Sequence, residues 1–413
     1  MFRPQHPSFL RTAALRLAVG LCGSLFSLSA TAAPKAYVGN FKDNTVSVID
    51  TGTTAVTATV PVAAGPHGLV LGSTGTPLYV SSDGASVVNV IDTATDKVTS
   101  TIEVGRNPHG MALVPDGRTL LVNVYGDDKV AFVDTASGKV TGTVPVAKPH
   151  TVAVRPDGTL AYVSSQQPGA FALVVIDLAK RSVVKTIALD KPPRDLEFAW
   201  NSSALYFTMA GTDAIQVLDP ASDSIVGAIA TGPSPHIAML ARGAALGTAV
   251  VQGPGELMLF DPATKQSVRS IAVGKQPHWL APVAGGKVFY ITNEGSNDVT
   301  IVDIATGATK TVAVGAAPRK VVIQQAEAVP ATRVSIANFA FVLASLVVPA
   351  HTTVTWSNDD GSPHALAFAD GKAASDLMLP GQQHARTFDA PGTFDYICSV
   401  HPYMTGKVVV RAP

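Results

Sequence analysis

Residues 108–145 read PHGMALVPDGRTLLVNVYGDDKVAFVDTASGKVTGTVP, and this stretch decides the fold. It holds four short runs: Gly110–Val114, Leu120–Val124, Ala131–Asp134 and Lys139–Val144. Val, Thr and other strand-favouring residues dominate them, as half-buried strands require. Pro115-Asp116-Gly117-Arg118 supplies turn residues between the first two. The reading is one inner strand, two middle strands and an outer one.

The pattern then repeats. Aligning Asp50, Asp92, Asp134, Asp177, Asp219, Asp261 and Asp303 gives steps of 42, 42, 43, 42, 42 and 42 residues. Each Asp follows an apolar run such as Phe132-Val133 or Ile301-Val302 and sits mostly before Thr or Pro. These carboxylates are expected to cap the following turn and to have no catalytic part. A period near forty built of short strands and turns is the signature of propeller blades. Outside the N-terminal segment no stretch carries sustained helical spacing. Seven inner strands can be counted. The first repeat starts at a second strand, Ala36–Gly39, and the last contributes only an inner strand, Lys320–Gln325. One blade is therefore expected to be built from both ends, which removes an open sheet edge. The repeats resemble the YVTN family of bacterial β-propellers, through strands such as Ala36-Tyr37-Val38-Gly39-Asn40 and Phe289-Tyr290-Ile291-Thr292-Asn293. That resemblance implies a fold and no particular activity.

A chain of 413 residues is long enough for two or more domains. It is 46% hydrophobic and 15% charged, ample for buried cores, and its formal net charge of zero argues against nucleic acid as a partner. Residues 1–32 read as a Sec-type signal peptide. Arg3, Arg11 and Arg16 precede an apolar stretch from Leu17 to Ala30, and Ala30-Thr31-Ala32 is a small-residue cleavage site. A retained anchor helix is the competing reading, and the apolar run is short for one. No membrane span is expected after the signal is removed, and the periplasm is the expected location.

The chain has two Cys, and Cys22 would leave with the signal. Cys398 is then a lone Cys in an oxidising compartment, either a partner in an intermolecular disulfide, a reactive thiol or a metal ligand. Its neighbours favour the last. Cys398-Ser399-Val400-His401-Pro402-Tyr403-Met404 spaces a thiolate, an imidazole and a thioether three residues apart, and Trp356–His364 ends in a second His. Thiolate, imidazoles and a weak thioether are the donor set of a blue-copper site. Over roughly the last eighty residues the chain resembles the small blue copper proteins, the cupredoxins, and the spacing is most similar to that of amicyanin. The resemblance implies a β-sandwich, one type 1 copper, and His364, Cys398, His401 and Met404 as its ligands. Many members carry Asn after the first His; here it is Ala365. Phe394 and Tyr396 alternate toward Cys398, as in a strand delivering the sulfur to one end of a barrel. The organisation expected is an all-β chain: signal peptide 1–32, seven-bladed β-propeller 33–325, linker 326–332 and cupredoxin domain 333–413.

A second constellation lies in the repeats. Pro followed by His or Arg stands just before each inner strand, placing His67, His109, His150, Arg194, His236, His278 and Arg319 at equivalent positions. Inner strands surround the axis, so all seven are expected to converge on one channel mouth. They are open to several readings: an anion or a partner's carboxylates held by the Arg, a second metal held by the His, or a turn copied by duplication with no task. The two Arg place permanent charges where a metal would be opposed.

Three functions follow. The first is a periplasmic electron carrier with no catalytic residue, its propeller acting as a dock or scaffold and its partner another periplasmic redox protein, a cytochrome or a dehydrogenase. The second is a copper-dependent oxidoreductase with a further site at the propeller axis, a layout similar to that of nitrous oxide reductase. The third is a binding protein in copper handling.

Overall fold

The computed structural model describes residue 1 and residues 33–411, except 201, 242–243, 284, 325–331, 338–339, 343–344 and 373. The signal peptide expected at 1–32 and the linker expected at 326–332 lie outside the described residues, save residues 1 and 332. Among the described residues the strands form nine four-stranded sheets.

Seven of these sheets are blades. The blade quoted above runs Pro108–Leu113, Thr119–Val124, Lys129–Asp134 and Lys139–Pro145, each strand antiparallel to the next. Burial falls outward: the second and third strands are almost wholly buried, and the outer one is mostly exposed. Apolar side chains of adjacent blades interlock between the sheets. Tyr79, Val88 and Ile102 of one blade pack with Met111, Leu120, Val122 and Ala131 of the next.

Each inner strand touches the next around the ring, and the last, Pro318–Ile323, touches both Pro277–Pro282 and Pro66–Leu71. That last strand pairs with Lys35–Asn40, matching Ala36 with Ile323 and Val38 with Val321, so one blade is made from residues far apart in the chain. Ring closure leaves every first strand of a sheet facing the axis.

The seven Asp do what the turn chemistry requires. Their side chains accept backbone N–H bonds from residues two or three positions on, as from Thr53, Ala94, Ser137, Lys180, Ala221, Ala263 and Ala305. Those bonds, and at Asp134 first of all the Ser137 hydroxyl, hold the carboxyls below their ordinary range.

The remaining two sheets face each other as a sandwich. One orders Ala340–Val342, Arg333–Ala337, Thr352–Asn358 and Gln383–Phe388; the other orders Ser345–Pro349, Thr405–Arg411, Gly392–Cys398 and Leu366–Phe368. Between the sheets Trp356, Phe368, Phe388 and Tyr396 pack with Val334, Val354, Leu366 and Val408. In Gly392–Cys398 only Tyr396 and Cys398 are fully buried. Strand alternation thus carries the thiol inward, at the end of the core.

Candidate metal centre

The sandwich brings three donor atoms together at one end. Cys398 Sγ lies 3.5 Å from His364 Nδ1 and 3.7 Å from His401 Nδ1, and the two Nδ1 atoms are 3.3 Å apart. Cys398 and His364 are fully buried, whereas His401 is partly exposed. A point equidistant from the three atoms lies about 2 Å from each, the length of a transition-metal bond to imidazole nitrogen or thiolate. Three donors at that separation fit one metal ion. Among the described residues this is the group of three His, Cys, Asp or Glu side chains assembled closely enough to hold one.

Local structure sets each member. Cys398 ends its strand, and the loop after it is tied by backbone bonds: Cys398 N–H donates to Met404 O at 3.0 Å and Met404 N–H to His401 O at 2.9 Å. Met404 is buried in the same core. His364 exchanges backbone bonds with Met378 at 3.0 and 2.7 Å. Its Nε2 lies 3.0 Å from Asp360 Oδ2. A carboxylate accepts, so Nε2 carries the proton and Nδ1 presents a lone pair toward the sulfur. Asn358 steadies this corner, donating from Nδ2 to Ser362 O and Met378 O and accepting from Asp360 N–H. With Ala in place of Asn after His364, the ligand loops are joined by the main chain: Ser399 N–H donates to Ala365 O at 2.8 Å. Sequence reasoning missed Asp360, Asn358 and Met378. Only Asp360 left a signal, an acid four residues before a candidate ligand.

The structure also places the seven axial residues. Each Pro-His or Pro-Arg pair opens the inner strand itself, where the sequence reading put it just before the strand. In every blade the pairing register slips at this pair, for example between Pro108 and Met111, and such bulges re-aim side chains. Two imidazole stacks result. His67 lies 3.6 Å from His109, ring centre to ring centre, and His109 lies 4.1 Å from His150. His236 lies 4.0 Å from His278, and His67 and His278 are 6.0 Å apart across the blade of Arg319. Burial, then neighbouring charges, push these imidazoles below their ordinary range, His236 to about 3.

With this geometry in hand, the likeness to known proteins is specific. The profile of the YNCE-like beta-propeller family matches residues 27–114 and 73–245, together more than half of the chain. The chain belongs to the YNCE-like β-propeller family. The profile of the cupredoxin-like domain matches residues 303–410, overlapping the last blade and covering the whole sandwich. Amicyanin-alpha of Methylorubrum extorquens is 37% identical over 94 residues, 22% of this chain and 78% of that protein. Amicyanin of Paracoccus denitrificans is 40% identical over 83 residues, 19% of this chain; the chain spans 63% of its length, just under two thirds. Among solved structures, hydrazine synthase of Kuenenia stuttgartiensis superposes with a TM-score of 0.60 at 18% identity, over 65% of this chain and 91% of that one. At that identity the likeness concerns fold alone. The chain is therefore a YNCE-like propeller carrying a cupredoxin-like domain, and the homology supports a copper electron-transfer protein.

Proposed function

We propose that this protein is an exported single-electron carrier of the periplasm, with one type 1 copper held by His364, Cys398, His401 and Met404. The observation that carries this reading is the triangle of Cys398 Sγ, His364 Nδ1 and His401 Nδ1. Bound there, copper supplies a one-electron couple. The chain's own residues do the rest. The strand Gly392–Cys398 holds the sulfur in a core that excludes water. Asp360 fixes the tautomer and orientation of His364. Four side chains complete the donor set, so no position is left for a substrate, and transfer rather than catalysis is the task at this metal.

His401 is the one imidazole of the three donors that reaches the surface. Val400 and Tyr403, on the same loop, are exposed, as are Leu377 and Leu379 on either side of Met378, the residue bonded to His364. An electron entering or leaving through the His401 edge would meet a partner on this apolar rim. Another periplasmic redox protein, a cytochrome or a dehydrogenase, is the partner proposed. The propeller serves as dock or scaffold. Export through the signal at residues 1–32 puts the remaining thiol in an oxidising compartment, where ligation protects it.

The test is Cys398→Ser in the full chain. Copper-loaded wild type is expected to show an intense visible thiolate band at one copper per chain, and the variant none. A band that survives the substitution would refute the assignment.

A further inference from the structure

All seven inner strands of the propeller contribute to the wall of one cavity of about 520 Å³ along the axis. The His and Arg that open those strands stand apart from it, and its lining comes from residues further along each strand. Of the described residues that line it, only Glu197 and Lys320 carry ionisable side chains; the rest are apolar or aromatic, Phe198, Met239 and Trp279 among them. The repeat does not account for that pair. Four positions after the opening Pro, the other six strands carry Val70, Ala112, Ala153, Met239, Ala281 and Val322, where this one carries Glu197. Two positions after it, Lys320 and Trp279 of the neighbouring blade stand where two other strands have Gly68 and Gly110. Duplication copies a residue from blade to blade, so a charge found in one copy alone has another reason to be there.

Neither charge is answered within the chain. Lys320 Nζ stands 4.1 Å from the centre of the Trp279 ring. Among the described residues no hydrogen bond or ion pair joins that ammonium to an acceptor, or the Glu197 carboxyl to a donor. Asp195 does not line the cavity; its Oδ2 lies 2.8 Å from His236 Nδ1. Glu197 and Lys320 are both partly exposed, so a ligand in the cavity reaches them. Burial pushes the Lys320 ammonium down, against the pull of Glu197 and Asp195, and pushes the Glu197 carboxyl up to about 7. Groups held away from their charged forms in this way are relieved by a ligand that brings the opposite charge. The two differ in sign and are not paired with each other, which limits what fits between them. An anion would satisfy Lys320 and leave Glu197, a cation would do the reverse, and an apolar ligand would leave both. A molecule with an anionic end, a cationic end and an apolar body matches the whole wall.

We propose that the propeller channel binds a small zwitterion with an apolar side chain, of the class of the apolar amino acids, its carboxylate held by Lys320, its ammonium by Glu197 and its side chain by the channel wall. A cavity of this volume, apolar with a few placed polar groups, is of the usual make-up for a small-molecule site. The site shares no residue with the sandwich, goes beyond the electron-carrier reading and stands or falls separately from it.

The experiment uses the full chain, freed of metal because amino acids chelate copper, and titrates it by calorimetry with L-leucine and L-phenylalanine. At least one of them is expected to bind, one molecule per chain, with a Kd of about 1 mM or tighter. The analogues that lack one charged end, isoamylamine and isocaproate for leucine or phenethylamine and hydrocinnamate for phenylalanine, should each bind at least about tenfold more weakly. Lys320→Met should weaken amino-acid binding at least about tenfold and leave binding of the amine unchanged. Glu197→Gln should weaken it to a similar degree and leave binding of the acid unchanged. A general loss of packing would move amine and acid alike. If Lys320→Met fails to fold, the comparison of the amino acid with its amine and its acid on the unmutated chain decides. No binding of either amino acid, an amine or acid that binds as tightly as its amino acid, or binding indifferent to either substitution in a folded variant overturns the proposal.

Discussion

Asp360 decides which nitrogen of His364 faces Cys398, because its carboxylate claims the hydrogen on Nε2. Outer partners of this kind act on affinity. Asp360→Ala is expected to lower copper affinity about 10- to 100-fold while leaving the thiolate band. Competition against a chelator measures it, and unchanged affinity would count against the assigned tautomer. Met404, proposed above as the weak fourth donor, has a different task. Met404→Leu should keep the colour and move the reduction potential, read in a redox titration.

At the scale of the element, the inner strands are shaped by how closely blades approach. A Cβ placed on Gly110 would stand 2.6 Å from His150 O and 2.7 Å from Thr151 Cα, both main-chain atoms of the next blade. That backbone cannot yield without opening the interface that also carries the bond from His109 Nδ1 to His150 O. Gly110→Ala is therefore expected to cost about 1–3 kcal/mol, seen as a lower melting temperature. Val140, on the exposed outer strand of the same blade, provides the contrast: Val140→Thr should change stability by less than about 0.5 kcal/mol. A Gly110→Ala chain as stable as wild type would mean that the blades part more easily than this packing implies.

For the whole molecule, acidity is the variable that the buried groups control. The ring imidazoles are neutral in the fold and titrate normally when unfolded, so below about pH 6.5 the unfolded chain binds more protons. Their contribution is fully present above that pH and is lost as pH falls, toward about 3 for His236. The melting temperature should drop between pH 7 and 5, and His236→Gln should flatten that drop. Glu197 has the opposite sign. Burial pushes it up to about 7, against the pull of Lys320 and with a push from Asp195. Its protonated form is the one the fold favours, so this contribution is present below about pH 4.5 and lost as pH rises through 7. Glu197→Gln should stabilise the chain by about 1–2 kcal/mol at pH 8, after discounting for its partial exposure, and by less at pH 5. Denaturant unfolding at the two pH values checks the difference.

Much of this protein was legible in local sequence because the deciding interactions are local. A 42-residue period, an Asp closing each third strand and a Pro-His or Pro-Arg opening each first one are one motif written repeatedly, and one turn or one strand suffices to read it. The same holds for Cys398, His401 and Met404, which share a single loop. What only the tertiary structure decided lies between segments distant in the chain. Asp360 and His364 are four residues apart, yet the lone pair they set matters only because Cys398 arrives from another strand. The protons on His109, His150 and His278 are placed by carbonyls about forty residues on, in the neighbouring blade. Residue type and spacing limit where a side chain stands; the state of its nitrogens depends on which atoms the folded backbone puts within hydrogen-bonding reach.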